Sequence, residues 1–178
     1  MVEFWGRHFK PYILEEELLK RSSELGKKIS EDFEDRSPII LSVLNGAFMF
    51  TSDLVKHIDL KCEIHFMRYK SYDGMASTGE VKNVYGLPVD VENRPVIVVE
   101  DIVDTGSTLH QIMKDLMAAG AESVQICTLL HKPEATTFDL HLDYVGFEIP
   151  NKFVLGYGLD YDGLGRNLKD LYQEEKDQ

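Results

Sequence analysis

The sequence predicts an α/β protein built on a twisted, mainly parallel sheet flanked by helices. Short, continuous apolar runs at 38–44, 95–99 and 123–130 are typical of strands that are buried on both faces. Amphipathic segments with helical spacing alternate with these runs, and the connections between them are short. A chain of 178 residues is ordinary for one domain, so we expect a single domain over residues 1–178.

The first part of the chain alternates between helical and strand patterns. Residues 14–33 predict an amphipathic helix, and 38–44 predict the first buried strand. Residues 45–58 predict a turn that leads into a second helix, and 63–69 predict a further strand. The first helix is predicted from apolar residues that recur every three or four residues, or at multiples of those spacings: Leu14, Leu18, Leu25, Ile29 and Phe33.

The segment 70–94 has little periodicity and several turn-forming residues. It predicts a long excursion from the core, either irregular or folded into a short hairpin. Long loops inside compact domains are usually functional or mobile.

The second part of the chain resumes the alternation. After the strand at 95–99, apolar spacing predicts a helix from Thr105 to Gly120, and a strand follows at 123–130. Further strands are predicted at 144–149 and 153–159, and the end of the chain, 166–178, is expected to be a short polar tail.

Composition limits the ligands that this protein can bind. The net charge is -12 and the pI is about 4.9, which argues against a sequence-independent hold on a nucleic-acid backbone. Cys62 and Cys127 lack any metal-ligand spacing, so we expect two buried, reduced thiols. The first 13 residues lack the apolar core of a signal peptide, and no run of 18 apolar residues occurs. We therefore expect a cytoplasmic protein that binds small molecules and not membranes.

Two segments resemble known phosphate-binding motifs but lack residues that those motifs require. Residues 74–81 have the glycine spacing of a P-loop, but Glu80 occupies the position of the phosphate-binding lysine. Residues 163–168 begin like a dinucleotide fingerprint but lack its third glycine and the preceding strand. Neither segment supports an NTPase or an NAD-dependent enzyme.

The stretch VVEDIVDTGST, residues 98–108, joins a predicted strand to a predicted helix. Backbone N–H groups and the hydroxyls that follow Asp104 can converge there on one anion, and Gly106 allows close approach. The alternative is that Asp104 merely caps the helix. In parallel sheets, ligands bind at such carboxyl ends of strands.

The adjacent acids Glu100 and Asp101 decide what this stretch binds. A helix N-terminus favours an anion by roughly 1 kcal/mol, whereas two like charges about 4 Å apart cost roughly 4 kcal/mol at an effective dielectric near 20. The two carboxylates therefore cannot face a phosphate and must face sugar hydroxyls, Mg²⁺ or a developing cation. A phosphorylated sugar that carries a divalent metal satisfies both ends of the motif.

The same stretch carries a family resemblance. VIVVEDIVDTGSTL, residues 96–109, closely resembles the motif with which type I phosphoribosyltransferases bind phosphoribosyl pyrophosphate (PRPP). The likeness to hypoxanthine or hypoxanthine-guanine phosphoribosyltransferases covers nearly the whole chain. It extends to LNGAFMF, KSYDGMASTGEV, LLHKPEA, VGFEIPNKFVLGYGLDY and GRNLKDL.

The resemblance implies roles around PRPP. Glu100 and Asp101 would bind the ribose hydroxyls and help to place Mg²⁺, and Asp104 would be the acid/base partner of purine N7. The loop for the 5′-phosphate would consist of Thr105, Gly106, Ser107 and Thr108, although some members carry Lys where Ser107 stands.

The resemblance also implies a purine site. Lys132 would donate to the 6-oxo group, which favours 6-oxopurines over adenine, and the alternative is a surface lysine. Phe153 would stack on the base between Lys152 and Val154, whereas without the resemblance it could equally be a core strand residue. Asp160 would take part in Mg²⁺ binding close to the purine.

Two further segments correspond to the pyrophosphate end and the active-site loop of the family. Asn45 and Gly46 fall on the pyrophosphate loop, where several members have Lys or Arg in place of Asn45, and Arg166 would contact pyrophosphate as well. Ser71 and Tyr72 match the pair in a mobile loop, here 70–85, that closes over the active site.

The activity that the resemblance implies is Mg²⁺-dependent transfer of a phosphoribosyl group from PRPP to hypoxanthine and guanine. The products would be IMP or GMP and pyrophosphate, in purine salvage. A small hood formed by 145–178 with N-terminal residues would cover the base, and a homodimer or homotetramer is expected. Two alternatives remain: a regulator that binds PRPP or nucleotides and controls nucleic acid, which the charge of -12 disfavours, and a relative that prefers xanthine or another base.

Overall fold

The structure, a computed structural model, describes residues 1–71, 81–83 and 87–175. Its helices are α1 (Glu15–Asp32), α2 (Phe48–Val55) and α3 (Ser107–Ala118). Its strands are β1 (Val2–Phe4), β2 (Arg7–Ile13), β3 (Ile39–Val43), β4 (Glu63–Met67), β5 (Tyr69–Ser71), β6 (Val81–Asn83), β7 (Pro95–Val103), β8 (Ser123–His131), β9 (Tyr144–Glu148), β10 (Val154–Leu155) and β11 (Leu171–Glu174).

A five-stranded parallel sheet forms the centre of the molecule and confirms the predicted fold class. Its strand order is β4-β3-β7-β8-β9, and every neighbouring pair is parallel. All five residues of β3 are buried, as expected for a strand that is covered on both faces. The end of β7 extends beyond the predicted 95–99 and carries Glu100 and Asp101 on the strand itself.

Alternating side chains of the sheet build one core on each face. Ile40 and Ile97 belong to the core that also contains the buried side of α1, whereas Ile39 and Val98 belong to the core that contains α3. Because successive strand residues point to opposite faces, a short apolar run serves both cores at once. The helices therefore flank the sheet, as the apolar spacing predicts.

A second sheet is antiparallel and joins the two ends of the chain in the order β1-β2-β11-β10. The end of the chain is not simply the predicted polar tail, because Leu171–Glu174 pairs with both β2 and β10. Leu171 and Gln173 alternate inward, and two inward positions are too few for a clear sequence pattern. This sheet is the antiparallel hood sheet of the fold.

The strand predicted at 153–159 is much shorter in the structure and ends at Leu155. Gly156 and Gly158 have φ values of 100° and 102°, which no regular strand adopts. Residues 145–148 of the region expected to form the hood lie in β9 of the central sheet.

The excursion at 70–94 contains a short hairpin, because β5 pairs with β6.

Cys127 is buried and Cys62 is only partly buried, and both are free thiols, so the expectation of two buried thiols is wrong for Cys62. Among the described residues, no helix has both the length and the apolarity needed to cross a membrane.

Candidate active site

A cavity of about 300 Å³ lies at the carboxyl end of β7, beside the start of α3. Parallel sheets bind ligands at this position because several strand ends and helix N-termini meet there. Ten of the residues predicted for the site line the cavity: Gly46, Glu100, Asp101, Asp104, Thr105, Gly106, Ser107, Thr108, Asp160 and Arg166.

Glu100 and Asp101 place two carboxylates in the cavity at the end of β7. Glu100 is 8% exposed, and burial raises its pKa well above the usual range, with a further rise from neighbouring Asp101. Burial also raises the pKa of Asp101, although a hydrogen bond with Glu100, backbone N–H donors and the Arg166 guanidinium oppose that rise. Desolvation disfavours both charges, so the pair favours a cation or hydroxyl donors beside it.

The loop after β3 leaves no space beside this acidic pair. A Cβ atom on Gly46 would lie 1.5 Å from Asp101 Oδ2, so only glycine fits there. The Leu44–Asn45 peptide bond that precedes it is cis, and Asn45 is exposed beside the cavity without lining it.

The donor set at the end of β7 fits a hard divalent cation such as Mg²⁺. Two adjacent carboxylates, that of Glu100 buried and that of Asp101 half-buried, offer oxygen ligands and a local need for positive charge. No group of three or more His, Cys, Asp or Glu residues in the described part of the chain is arranged to hold a metal. Mg²⁺ often takes only one or two protein carboxylates, with substrate oxygens and water completing its shell.

The turn at Thr105 and Gly106 leads into the N-terminus of α3. Gly106 is the residue before the helix and has a φ of 88°, and a Cβ atom on it would lie 2.7 Å from the Leu140 side chain. Gly106 has no side chain with which to cap the helix, and the Asp104 carboxylate bonds to Lys132 instead, so Asp104 is not the cap that the alternative interpretation required. The Ser107 amide donates to Thr105 Oγ1 at 3.4 Å, whereas the next amide, that of Thr108, has no intrahelical acceptor and suits an anion.

Asp104 and Lys132 form an ion pair at the rim of the cavity. Lys132 Nζ lies 2.9 Å from Asp104 Oδ2, although 28 residues separate them in the chain. The pairing of β7 with β8 brings them together, and the Lys132 amide donates to the Val103 carbonyl at 2.9 Å. The Lys132 side chain is only 8% exposed, so the surface-lysine alternative is wrong.

Thr136 is a further residue of the site, and the sequence pattern does not predict it. Its Oγ1 lies 2.8 Å from the Asp104 carbonyl, 3.0 Å from the Lys132 carbonyl and 3.2 Å from His131 Nε2. One hydroxyl therefore joins the loops that follow β7 and β8. A threonine in a loop carries no recognisable signal, because the partner that links the two loops, the Asp104 carbonyl, lies 32 residues away in the sequence.

Asp160 and Arg166 close the cavity from the opposite side. Arg166 Nη2 lies 2.6 Å from Asp160 Oδ1, and Arg166 Nη1 donates to the Gly158 carbonyl at 2.7 Å. Asp160 Oδ2 also accepts from the Gly163 amide at 2.7 Å. The guanidinium thus stands beside the acidic pair with its fork of donors fixed in direction.

Of the residues expected around the base, Asp160 lines this cavity, whereas Lys132, Lys152, Phe153 and Val154 do not. Phe153 is 37% exposed, and its ring lies 6.1 Å from that of Phe9 and 5.4 Å from that of Tyr161, measured between centroids. Lys152 is exposed and Val154 is buried in β10. The structure instead adds Ile102 and Tyr69 to the lining.

The residues of the predicted mobile loop are only partly described. Ser71 lies in β5, where its backbone pairs with Val81. Tyr72 lies outside the described residues.

A comparison with known families decides the identity of this arrangement. The model of the phosphoribosyl transferase domain matches residues 13–162, which include the whole cavity apart from Arg166. The chain belongs to the phosphoribosyltransferase family. The resemblance seen in the sequence is therefore confirmed, and this phosphoribosyltransferase has the type I fold, with its parallel sheet and antiparallel hood sheet.

Individual members of the family resemble this phosphoribosyltransferase over most of its length. Hypoxanthine-guanine phosphoribosyltransferase of Bacillus subtilis is 43% identical over 160 residues, which are 89% of each chain. The enzyme of that name from Lactococcus lactis is 42% identical over 160 residues, 89% of this chain and 87% of its own. A crystal structure of a hypoxanthine-guanine phosphoribosyltransferase from Bacillus anthracis, with HEPES in its active site, matches with a TM-score of 0.88 and 38% identity. It covers 93% of this chain and 99% of that one.

Proposed function

We propose that this protein transfers the 5-phosphoribosyl group of PRPP to hypoxanthine and guanine, with Mg²⁺, and that it acts in purine salvage. The products are IMP or GMP and pyrophosphate. The observation that carries the proposal is that the Glu100–Asp101 pair and the N-terminus of α3 line one cavity together. The substrates named for the relatives in Bacillus subtilis and Lactococcus lactis agree with it.

The two ends of the 98–108 stretch hold different parts of PRPP in this proposal. Glu100 and Asp101 accept hydrogen bonds from the ribose hydroxyls and would hold Mg²⁺ at that end of the site, and Asp160 would take part in Mg²⁺ binding close to the purine. The turn and the first N–H groups of α3 bind the 5′-phosphate, because amides at the start of a helix lack intrahelical acceptors and the residue before the helix is glycine. The hydroxyls of Thr105, Ser107 and Thr108 add donors, with Gly106 allowing close approach.

Asp104 is the proposed acid/base residue. As the purine bonds to C1′ and the bond from C1′ to pyrophosphate breaks, the Asp104 carboxylate accepts the proton from N7. Lys132 holds this carboxylate at 2.9 Å and has the donors needed for the purine 6-oxo group. The ribose gains positive charge as pyrophosphate leaves, and the two acids at the end of β7 stabilise it. Bound Mg²⁺ would neutralise charge on the departing pyrophosphate.

The remaining roles follow the family resemblance. Arg166, Gly46 and the backbone of Asn45 bind pyrophosphate, and the guanidinium is already directed by Asp160 and the Gly158 carbonyl. Phe153 stacks on the base, with Lys152 and Val154 beside it, since its ring is partly exposed next to Phe9 and Tyr161. Ser71, Tyr72 and the rest of 70–85 close over the site.

Assembly and location complete the proposal. The hood covers the base, and its strands come from Val2–Ile13 and from Val154–Glu174. We expect a homodimer or homotetramer in the cytoplasm, without a nucleic-acid or membrane partner.

A turnover assay tests the proposal directly. The purified protein is incubated with PRPP, Mg²⁺ and one base from a panel of hypoxanthine, guanine, xanthine, adenine and uracil, and nucleotide formation is followed by absorbance. Hypoxanthine and guanine should be converted, and EDTA should abolish conversion. Preferential use of xanthine would correct the substrate, and no turnover with any 6-oxopurine would refute the proposed activity.

A further inference from the structure

Three consecutive residues with positive φ form a tight turn after β10. Tyr157 has a φ of 47° and stands between Gly156 and Gly158, whose values are 100° and 102°. Bulky side chains rarely adopt this backbone region, so the surroundings must hold Tyr157 there. Its amide donates to the Leu168 carbonyl at 2.7 Å, and the Gly158 amide donates to the Arg166 carbonyl at 3.0 Å.

This turn touches both groups that are proposed to bind pyrophosphate. The Gly158 carbonyl accepts from Arg166 Nη1 at 2.7 Å. On its other side, a Cβ atom on Gly158 would lie 2.0 Å from the Gly46 carbonyl, so the two backbones are in direct contact. The position of the turn therefore sets where Arg166 lies relative to Gly46.

The Tyr157 side chain fastens the turn to α2. The residue is 1% exposed, and its hydroxyl donates to Asp53 Oδ2 at 2.6 Å across 104 residues of sequence. Asp53 lies on α2, which begins two residues after Gly46, and its other oxygen is held by Lys56 Nζ at 2.7 Å. One hydrogen bond thus joins the turn to the helix that follows the Gly46 loop.

We propose that Tyr157 and Asp53 are positioning residues that fix the Gly158 turn, and through it Arg166, against the Gly46 loop, and so set the affinity of the pyrophosphate end of the site. Neither residue lines the cavity. The inference rests on the proposed function, because it assigns Arg166 and Gly46 to pyrophosphate. The inference predicts that loss of this contact weakens the binding of PRPP and pyrophosphate and leaves the binding of the purine unchanged.

The matched control is a second buried tyrosine in the same molecule. The Tyr144 hydroxyl donates to Asp32 Oδ2 at 3.0 Å, also between distant parts of the chain, but Tyr144 does not line the cavity and its hydroxyl bonds to α1 rather than to α2. Tyr144→Phe and Tyr157→Phe each remove one buried tyrosine hydroxyl that is bonded to an aspartate. A merely structural role predicts the same kinetic effect for both.

The experiment measures KM for PRPP and for the purine, and Kd for pyrophosphate with Mg²⁺ by calorimetry, in wild type and four variants. Tyr157→Phe and Asp53→Ala should raise the PRPP KM and the pyrophosphate Kd about fivefold, the size expected for one hydrogen bond, with the purine KM unchanged. Tyr144→Phe should leave all three constants unchanged, and Asp53→Asn, which keeps an acceptor oxygen, should restore values near wild type.

Equal constants in Tyr157→Phe and Tyr144→Phe would overturn the inference, and so would a purine KM that rises as much as the PRPP KM. A wild-type protein that binds pyrophosphate but turns over no 6-oxopurine would refute the proposed function instead. In that case the pyrophosphate Kd values still test the role of Tyr157 and Asp53.

Discussion

At the scale of single residues, Glu100 is held in an environment that opposes its charge. Burial, and then the neighbouring Asp101, raise its pKa well above the usual 4.5. Between 4.5 and the raised pKa, the folded state binds more protons at this residue than the unfolded chain does. The free energy of unfolding therefore falls as pH rises through that window.

Glu100→Gln should consequently stabilise the ligand-free protein. The amide does not titrate, so the variant has no unfavourable charge at this position. We therefore expect its unfolding free energy at pH 8 to be higher than that of wild type by on the order of 1 kcal/mol, a common gain when a destabilising functional residue is replaced. The difference from wild type should shrink towards pH 5, where the wild-type carboxyl binds its proton. Urea unfolding from pH 5 to 8 measures this, and parallel curves for the two proteins would contradict the assignment.

Asp104 gives a second prediction at this scale. Asp104→Asn removes the proton acceptor but keeps the size of the side chain, so kcat should fall by roughly 10²-fold or more with little change in PRPP affinity. Rapid-quench measurement of the first turnover isolates the chemical step from product release. An unchanged rate for that step would leave Asp104 without an acid/base role.

At the scale of elements, the ends of β7 and β8 act together. Pairing of these strands places Asp104 and Lys132 side by side, and Thr136 then links the two loops by its hydroxyl. The Thr136 hydroxyl therefore holds the backbone of both residues of the ion pair, at their carbonyl groups. Such support matters because small displacements of a catalytic group are costly in rate.

The role of the Thr136 hydroxyl can be tested with two substitutions, one that removes the hydroxyl and one that keeps it. Thr136→Val keeps the β-branched shape and loses the hydroxyl, and we expect kcat to fall about tenfold because Asp104 is less well held. Thr136→Ser keeps the hydroxyl and should stay within about twofold of wild type. The idea fails if the two variants have the same kcat, because only Thr136→Val lacks the hydroxyl.

At the scale of the whole molecule, the hood sheet and the central sheet share one core. Leu171 of β11 is completely buried in the same cluster as Leu18 of α1 and Leu129 of β8. The hood is therefore an extension of the main core rather than an independent unit. Loosening it should loosen the rest of the molecule.

Leu171→Ala should lower the free energy of unfolding by roughly 2–5 kcal/mol, because it leaves a cavity in this shared core. Leu19→Ala is the matched control, since Leu19 lies on the exposed side of α1 and should change stability by less than about 0.5 kcal/mol. Hydrogen exchange should show β7 amides losing protection together with those of β11. Loss confined to β11 would show that the hood opens separately.

The central elements of this protein were predictable because their signals are local. The apolar runs at 38–44, 95–99 and 123–130 contain enough buried positions to define strands, and α1 is predicted to within one residue at each end. The charges of residues 98–108 predict one ligand that carries a phosphate and also presents hydroxyls or a metal ion to the carboxylates. The family resemblance then assigns the remaining site residues.

Tertiary structure alone decided the features that depend on distant partners. Leu171–Glu174 becomes a strand because β2 and β10 supply its hydrogen bonds, although its own sequence is polar and short. Lys132 becomes buried because β8 lies beside β7, and Thr136 and Tyr157 acquire partners 32 and 104 residues away. The sequence by itself determined the sheet, its helices and the chemistry of one loop, because periodicity and adjacent charges are properties of neighbouring residues. Which loop faces which is set by strand order, and that emerges only when the chain packs.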